Sequence, residues 1–146
     1  MMQAEIYEPN IIELAGNIER IGNLPKPDAS AGAKSRLCGS HVHVEICVKG
    51  EHITNFAHKV EACALGQACA AIIAKNIIGS SAEEVFTLSQ RLARILVGEA
   101  HAPKGKWAEL KIFENMEQYK HRHHSIMLGF EALEKCLCQL GLGKKS

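Results

Sequence analysis

The chain reads as an α+β fold, a small antiparallel sheet with helices packed on one face. Two observations predict this. Val42, Val44, Ile46 and Val48 alternate with His41, His43, Glu45 and Cys47, the period-two pattern of a strand with one buried face. On either side, apolar residues recur at helical spacing in four segments.

The first of these runs from Pro9 to Arg20, where Ile11, Ile12, Leu14, Ala15 and Ile18 form a stripe. Asn23 to Arg36, with Pro25, Pro27 and Gly32 among small polar residues, reads as an exposed loop. After the alternating strand, Lys49-Gly50-Glu51 signals a turn, and Ile53 to Glu61 returns as its antiparallel partner. Cys63 to Ile78 carries only Lys75 as a charge among Ala, Ile, Leu and Gly, which describes a helix buried on most of its surface. Gly79 stops it. Ser80 or Ser81 caps the next helix, with Glu83 and Glu84 in the first turn, where the dipole favours acids. Its stripe is Val85, Leu88, Leu92, Ile95 and Leu96, and Gly98 ends it. Trp107 to Phe113 reads equally as a short helix or an extended run. The last helix spans about His123 to Leu140, with Ile126, Phe130, Leu133 and Leu137 facing inward.

Composition narrows the function. A chain of 146 residues is expected to be one domain, 1–146, with a core that needs no disulfide staples. A formal charge of +1, with acids and bases intermixed, argues against a nucleic-acid surface. The one basic tail, Lys144-Lys145, reads as solubilising charge. No apolar run reaches membrane-spanning length, and Met1 to Glu8 lacks the features of a signal peptide, so a cytoplasmic protein is expected. In that compartment the six cysteines are expected to be thiols or ligands rather than bridges.

Three places carry candidate chemistry. Cys38 precedes Gly39, where the loop enters the strand, and a glycine there lets a metal or backbone come close. Cys63 stands at a helix start, where unpaired N–H groups and the dipole favour a thiolate. His123 falls three residues before Ile126 and seven before Phe130, on the edge of the last helix's inner stripe. His124 is turned a little over a quarter of the way round from it and reaches the same place from one side. Two thiolates and one or two imidazoles form a soft set suited to zinc or iron–sulfur chemistry. Cys69, inside a buried helix, and Cys136 and Cys138, near a helix end, read as structural. His41, His43, Glu45 and Cys47 read as the solvated face of a half-buried strand rather than as a rival metal patch.

Leu37-Cys38-Gly39-Ser40, Cys63-Ala64-Leu65-Gly66-Gln67-Ala68 and His123-His124-Ser125-Ile126-Met127-Leu128 resemble the three ligand motifs of the iron–sulfur cluster scaffold family, the IscU, SufU and NifU N-terminal-domain proteins. Ile6-Tyr7 through Ile11-Ile12, and Gly22-Asn23-Leu24-Pro25, resemble that family's opening helix and loop. The resemblance implies a three-stranded antiparallel sheet, a transient [2Fe-2S] cluster or a zinc ion, a cysteine desulfurase as sulfur donor, and apo iron–sulfur proteins as acceptors. It places the family's first two cysteines on Cys38 and Cys63, and its His-Cys pair on His123-His124.

Two departures follow from that placement. The third cysteine is replaced by His124, which cannot carry a persulfide, and the acid after Cys-Gly is replaced by Ser40. The implied set Cys38, Cys63, His123, His124 matches the ligand count of Rieske centres and also suits tetrahedral zinc. The Leu-Pro-Pro-Val-Lys stretch read by a chaperone in IscU-type members is absent from Glu117-Gln118-Tyr119-Lys120-His121, so the chain looks closer to SufU-like and NifU-like branches. The resemblance therefore implies a non-enzymatic scaffold or carrier. The alternative it leaves open is a SufU-like zinc-dependent sulfur acceptor that works with a desulfurase, and a degenerate member whose site only supports the fold is the plain reading beside both.

Overall fold

A computed structural model describes residues 9–36 and 39–143. Cys38 and Leu37, the opening Met1 to Glu8 with Ile6-Tyr7, and the Lys144-Lys145 tail lie outside the described residues. Helix α1 (Pro9–Ala15) is followed by strands β1 (Ala29–Lys34), β2 (His41–Lys49) and β3 (His52–Glu61). Then come α2 (Ala64–Asn76), α3 (Ala82–Leu96), a 3-10 helix (Ala108–Phe113) and α4 (Lys120–Gln139). The sheet is antiparallel in the order β1-β2-β3, so β2 is its centre.

The alternation in β2 works as the sequence predicts, with Val42, Val44 and Ile46 buried against the helices. Opposite them β3 sets Val60, His58 and Phe56, and β1 sets Ala33, Ala31 and Ala29. Helix α4 packs on β1 and β2, and α2 packs between α1 and α4. Small residues make that possible. Ala68, Ala70, Ala71 and Ala74 of α2 are all buried, as the nearly uncharged segment requires. The α3 cap falls on Ser81, whose hydroxyl accepts the Glu84 N–H at 3.1 Å.

Several boundaries differ from the sequence reading. The first helix ends at Ala15 rather than Arg20, and Arg20 takes a left-handed φ of 61° while its Nε donates to the Ala74 carbonyl. The segment expected to be all loop contains β1, whose Ala-Ser-Ala-Gly-Ala-Lys lacks every β-branched or aromatic cue. Its register on β2 and the Lys135 and Gln139 side chains, which donate to the Gly32 and Ser30 carbonyls, hold it as a strand. The last helix begins at Lys120, one turn before His123, and Trp107 to Phe113 resolves as a 3-10 turn from Ala108.

The outer sheet face is not all solvated either. Glu45 is only 8% exposed, because residues 23–26 pass over it. Its carboxylate accepts from Leu24 N–H at 2.7 Å and Asn23 Nδ2 at 2.8 Å, and Cys47 Sγ donates to the Lys26 carbonyl. The Leu24 N–H, foremost, holds the Glu45 carboxyl below its ordinary range against the opposing effect of burial, with Asn23 and His43 adding to it. Cys138 is exposed, unlike its neighbour Cys136. Among the described residues no helix is long and apolar enough to cross a membrane.

Candidate metal or cluster site

The site forms where three chain segments meet at one edge of the sheet. Ser35 N–H donates to the Ser40 carbonyl at 2.8 Å, and Gly39 N–H to the Ser35 carbonyl at 3.0 Å. These bonds close the β1–β2 connection, and Gly39 supplies the positive φ (71°) it needs. They also continue the Lys34–His41 register by one pair, so Ser35 and Ser40 stand opposite each other. Both are buried, and the Ser35 hydroxyl has no partner among the described residues.

Cys63 is the N-cap residue of α2. Its backbone is extended and its carbonyl accepts the Gln67 N–H, while its own side chain makes no capping hydrogen bond. The thiol is half-buried, 3.2 Å from the Ser125 hydroxyl. Ser125 Oγ donates to Ser40 Oγ at 3.2 Å, and Ser40 Oγ accepts from the Cys63 N–H at 3.4 Å. Ser40, Cys63 and Ser125 thus join the sheet, α2 and α4 in one hydrogen-bonded cluster.

Helix packing explains why Ser125 reaches this point. Gly66 of α2 lies against Ser125, and Ile73 lies against Gly129, two turns further along α2 and one turn further along α4. The two helices therefore run side by side in the same sense, and their N-terminal ends share one edge of the molecule. Their dipoles add there, an environment that favours negative charge. The opening of α4, Lys120-His121-Arg122-His123-His124, holds no acid, an order the helix dipole disfavours by about 0.3–1 kcal/mol per charge. Arg122 Nε is buried without a partner among the described residues.

The two histidines of the expected ligand set are placed differently. His123 Nε2 donates to the Met116 carbonyl at 2.8 Å, which leaves Nδ1 as the lone-pair nitrogen of the neutral ring. His124 is half-exposed and its Nε2 pairs with Glu131 Oε2 at 2.9 Å, one helical repeat along its own face. Among the described residues no three His, Cys, Asp or Glu side chains are grouped to hold a metal ion, so Cys63, His123 and His124 are not gathered together. The residue of that motif which faces Cys63 is Ser125. A polar residue within the inner stripe of α4, at one turn before Gly129, is the sequence signal that could have found it.

The remaining cysteines separate cleanly. Burial pushes the Cys69 thiol up to about 12, and burial with the nearby Glu45 charge does the same to Cys136. Both are inert as thiolates at neutral pH. Cys136 instead donates to the Val44 carbonyl at 3.5 Å.

Residues 6–141 match the family described as the NifU-like N terminal domain. The chain is 22% identical over 132 residues to the iron–sulfur cluster assembly scaffold protein IscU of Thermotoga maritima, covering 90% of this chain and 92% of that one. It is also similar to the crystal structure of a nitrogen-fixing NifU-like protein (N-terminal) from Brucella abortus. There the identity is 43%, the TM-score 0.91, and the coverage 97% of this chain and 98% of the other. A putative SUF-system scaffold protein from Fervidobacterium islandicum shares the fold at 19% identity and a TM-score of 0.83, over 92% of this chain and 98% of that one. The chain belongs to the NifU-like N-terminal domain family, within the iron–sulfur cluster assembly scaffolds of IscU, NifU and SufU type.

Proposed function

We propose that this protein is a cytoplasmic scaffold or carrier that receives a labile [2Fe-2S] cluster as cargo and passes it to apo iron–sulfur proteins, with a cysteine desulfurase supplying the sulfur. The observation that carries this reading is the setting of Cys63. Its thiol is half-buried rather than sealed, at a helix start that its own side chain does not cap and where two helix N-termini lie side by side. A cluster held by thiolates is anionic, and the opening of α4 without an acid favours such cargo.

The ligands we propose are Cys38 and Cys63 as thiolates and His123 as nitrogen. Cys38 is bonded to Gly39, next to the Ser40 whose hydroxyl accepts the Cys63 N–H. The Met116 carbonyl fixes the tautomer of His123, the arrangement found behind metal-ligating histidines. His124 joins as a fourth ligand only by leaving Glu131, which makes it the weakest member of the set. A zinc ion suits the same thiolate and imidazole donors, so the cargo is identified by sulfide as well as by metal.

The test is anaerobic reconstitution with iron, sulfide source and desulfurase, followed by mixing with an apo ferredoxin. The expected result is a thiolate-to-iron absorption that moves to the acceptor, falls strongly in His123→Ala and falls less in His124→Ala. A chain that takes up only zinc and labels one cysteine as a persulfide is instead a sulfur acceptor.

A further inference from the structure

Two buried side-chain atoms have no hydrogen-bond partner among the described residues, Ser35 Oγ and Arg122 Nε, and both stand one step from the Ser40–Ser125 contact. Ser35 lies opposite Ser40 across the strand pair, on the helix-facing side of the sheet. Arg122 lies one turn before Ser125 on α4, where i and i+3 side chains start about 5–6 Å apart. The two are separated by about 60° of helix rotation, and helical side chains lean toward the N-terminus. Arg122 is thereby carried to the edge where Ser125 Oγ meets Cys63 Sγ at 3.2 Å. Its neighbour His121 shares that side of α4 but is exposed, whereas Arg122 is half-buried. The acids of the adjoining segments are engaged elsewhere, Glu61 with His41, Glu131 with His124, and Glu117 against Gly98. An arginine Nε only donates, so the group it suits is an acceptor. Burying that donor unbonded costs free energy, which a charge-assisted bond to an anion offsets.

We infer that Arg122 is the positioning residue for the anionic group that arrives at Cys63, its Nε–H and the paired N-termini of α2 and α4 holding that group beside the sulfur. Ser35 lines the same edge from the β1 side. A structural arginine contributes stability through a partner, and Arg122 Nε has none among the described residues. The inference rests on the proposed role of Cys63 as the residue that takes cargo, and it names the group that makes the site prefer anions. Its test is independent of any cluster.

The probes are iodoacetate and iodoacetamide, alkylating reagents of similar size that differ by one negative charge. With the first, the Cys63 thiolate and ICH2CO2− give Cys63–S–CH2CO2− and iodide. A Cys38→Ser/Cys47→Ser/Cys138→Ser background leaves Cys63 as its one cysteine that is not fully buried among the described residues. Peptide mass spectrometry gives both rates at Cys63, and their ratio reports the preference for an anion. Loss of one charge-assisted bond is expected to lower the iodoacetate-to-iodoacetamide ratio about tenfold in Arg122→Met. Arg122→Lys, which keeps the charge, should recover most of it. Lys120→Met removes the same charge from an exposed position in the same turn and should change the ratio less than about twofold. The stability of Arg122→Met should not fall, because methionine keeps the apolar stem and removes the unbonded donor. An unchanged ratio in Arg122→Met, or an equal fall in Lys120→Met, overturns the assignment. A chain that fails cluster reconstitution and still shows the Arg122-dependent ratio keeps the anion site and loses the cluster reading. Should Arg122→Met fail to fold, the Arg122 Nε–H resonance of the background protein decides. It should lie further downfield after carboxymethylation of Cys63 than after carboxamidomethylation, and an identical resonance overturns the assignment.

Discussion

Gly66 and Ser125 touch so closely that a Cβ built on Gly66 would lie 3.0 Å from both the carbonyl and the hydroxyl oxygen of Ser125, and 2.8 Å from the Ala62 methyl. This contact fixes the spacing of α2 and α4 at the end of the molecule that carries Cys63. The site depends on it, because Ser125 is the only one of the clustered hydroxyls that comes from a helix.

Gly66→Ala is therefore expected to push α4 off α2 and to cost about 1–3 kcal/mol, the usual range for overpacking. Gly129→Ala is the control. There the added methyl meets only Ile73 Cδ1, the far end of a flexible side chain, at 2.7 Å. Its cost should be smaller, and the better helix propensity of alanine offsets part of it. Urea unfolding of the two variants checks the order.

His58 predicts a pH dependence. The ring is 1% exposed, inclined against Phe56, and its Nε2 donates to the Glu19 carbonyl at 2.8 Å. Burial holds its pKa below the ordinary 6.5, more strongly than the Glu19 bond raises it. The folded state thus prefers the neutral ring. This contribution is present in full above about 6.5 and is lost as pH falls through that value toward the folded pKa. His58→Gln, which keeps a donor but does not titrate, should flatten the fall in stability below about pH 6.5. Denaturant midpoints measured across that range decide it.

Glu45 predicts a second, more acidic step. Its carboxyl is held below 4.5 in the folded state, chiefly by the Leu24 N–H. Stability from this group is present above that value and declines as pH falls through the folded pKa. Glu45→Ala leaves the Leu24 N–H and the Asn23 amide without their acceptor and should cost about 1–3 kcal/mol at neutral pH. The same variant should free residues 23–26 from the sheet, seen as faster amide exchange at Leu24.

Thiol labelling should separate the cysteines by burial. Cys69 and Cys136, with thiols pushed up to about 12, are expected to stay unmodified in the folded protein at neutral pH. Among the described cysteines, exposed Cys138 should react first, and half-buried Cys63 and Cys47 at intermediate rates. Peptide mass spectrometry after brief alkylation reads the order directly, and rapid labelling of Cys69 would contradict the packing of α2.

The elements with strong period were legible in the sequence, and the weak ones were not. Val42 to Val48 and the stripe from Val85 to Leu96 declare a strand and a helix through their own side chains. Strand β1 does not, because Ala29 to Lys34 becomes a strand only through β2 on one edge and Lys135 and Gln139 of α4 on the other. Cys63 was legible as a helix-start thiol. Its partnership with Ser125 was not, since serines at positions 40 and 125 carry no ligand pattern and meet only through the packing of Gly66 on α4. The adjacent histidines drew attention instead. Roughly 200° of helix rotation separates His123 from Ser125, so one motif presents its residues to different surroundings.

Cluster binding through Cys38 and Cys63 is decided by the iron and acid-labile sulfide content of the protein, purified anaerobically beside a Cys38→Ser/Cys63→Ser double variant. Iron with matching sulfide is expected in the parent and neither in the variant. Iron and sulfide retained by the variant, or a parent that holds neither after reconstitution, would contradict it.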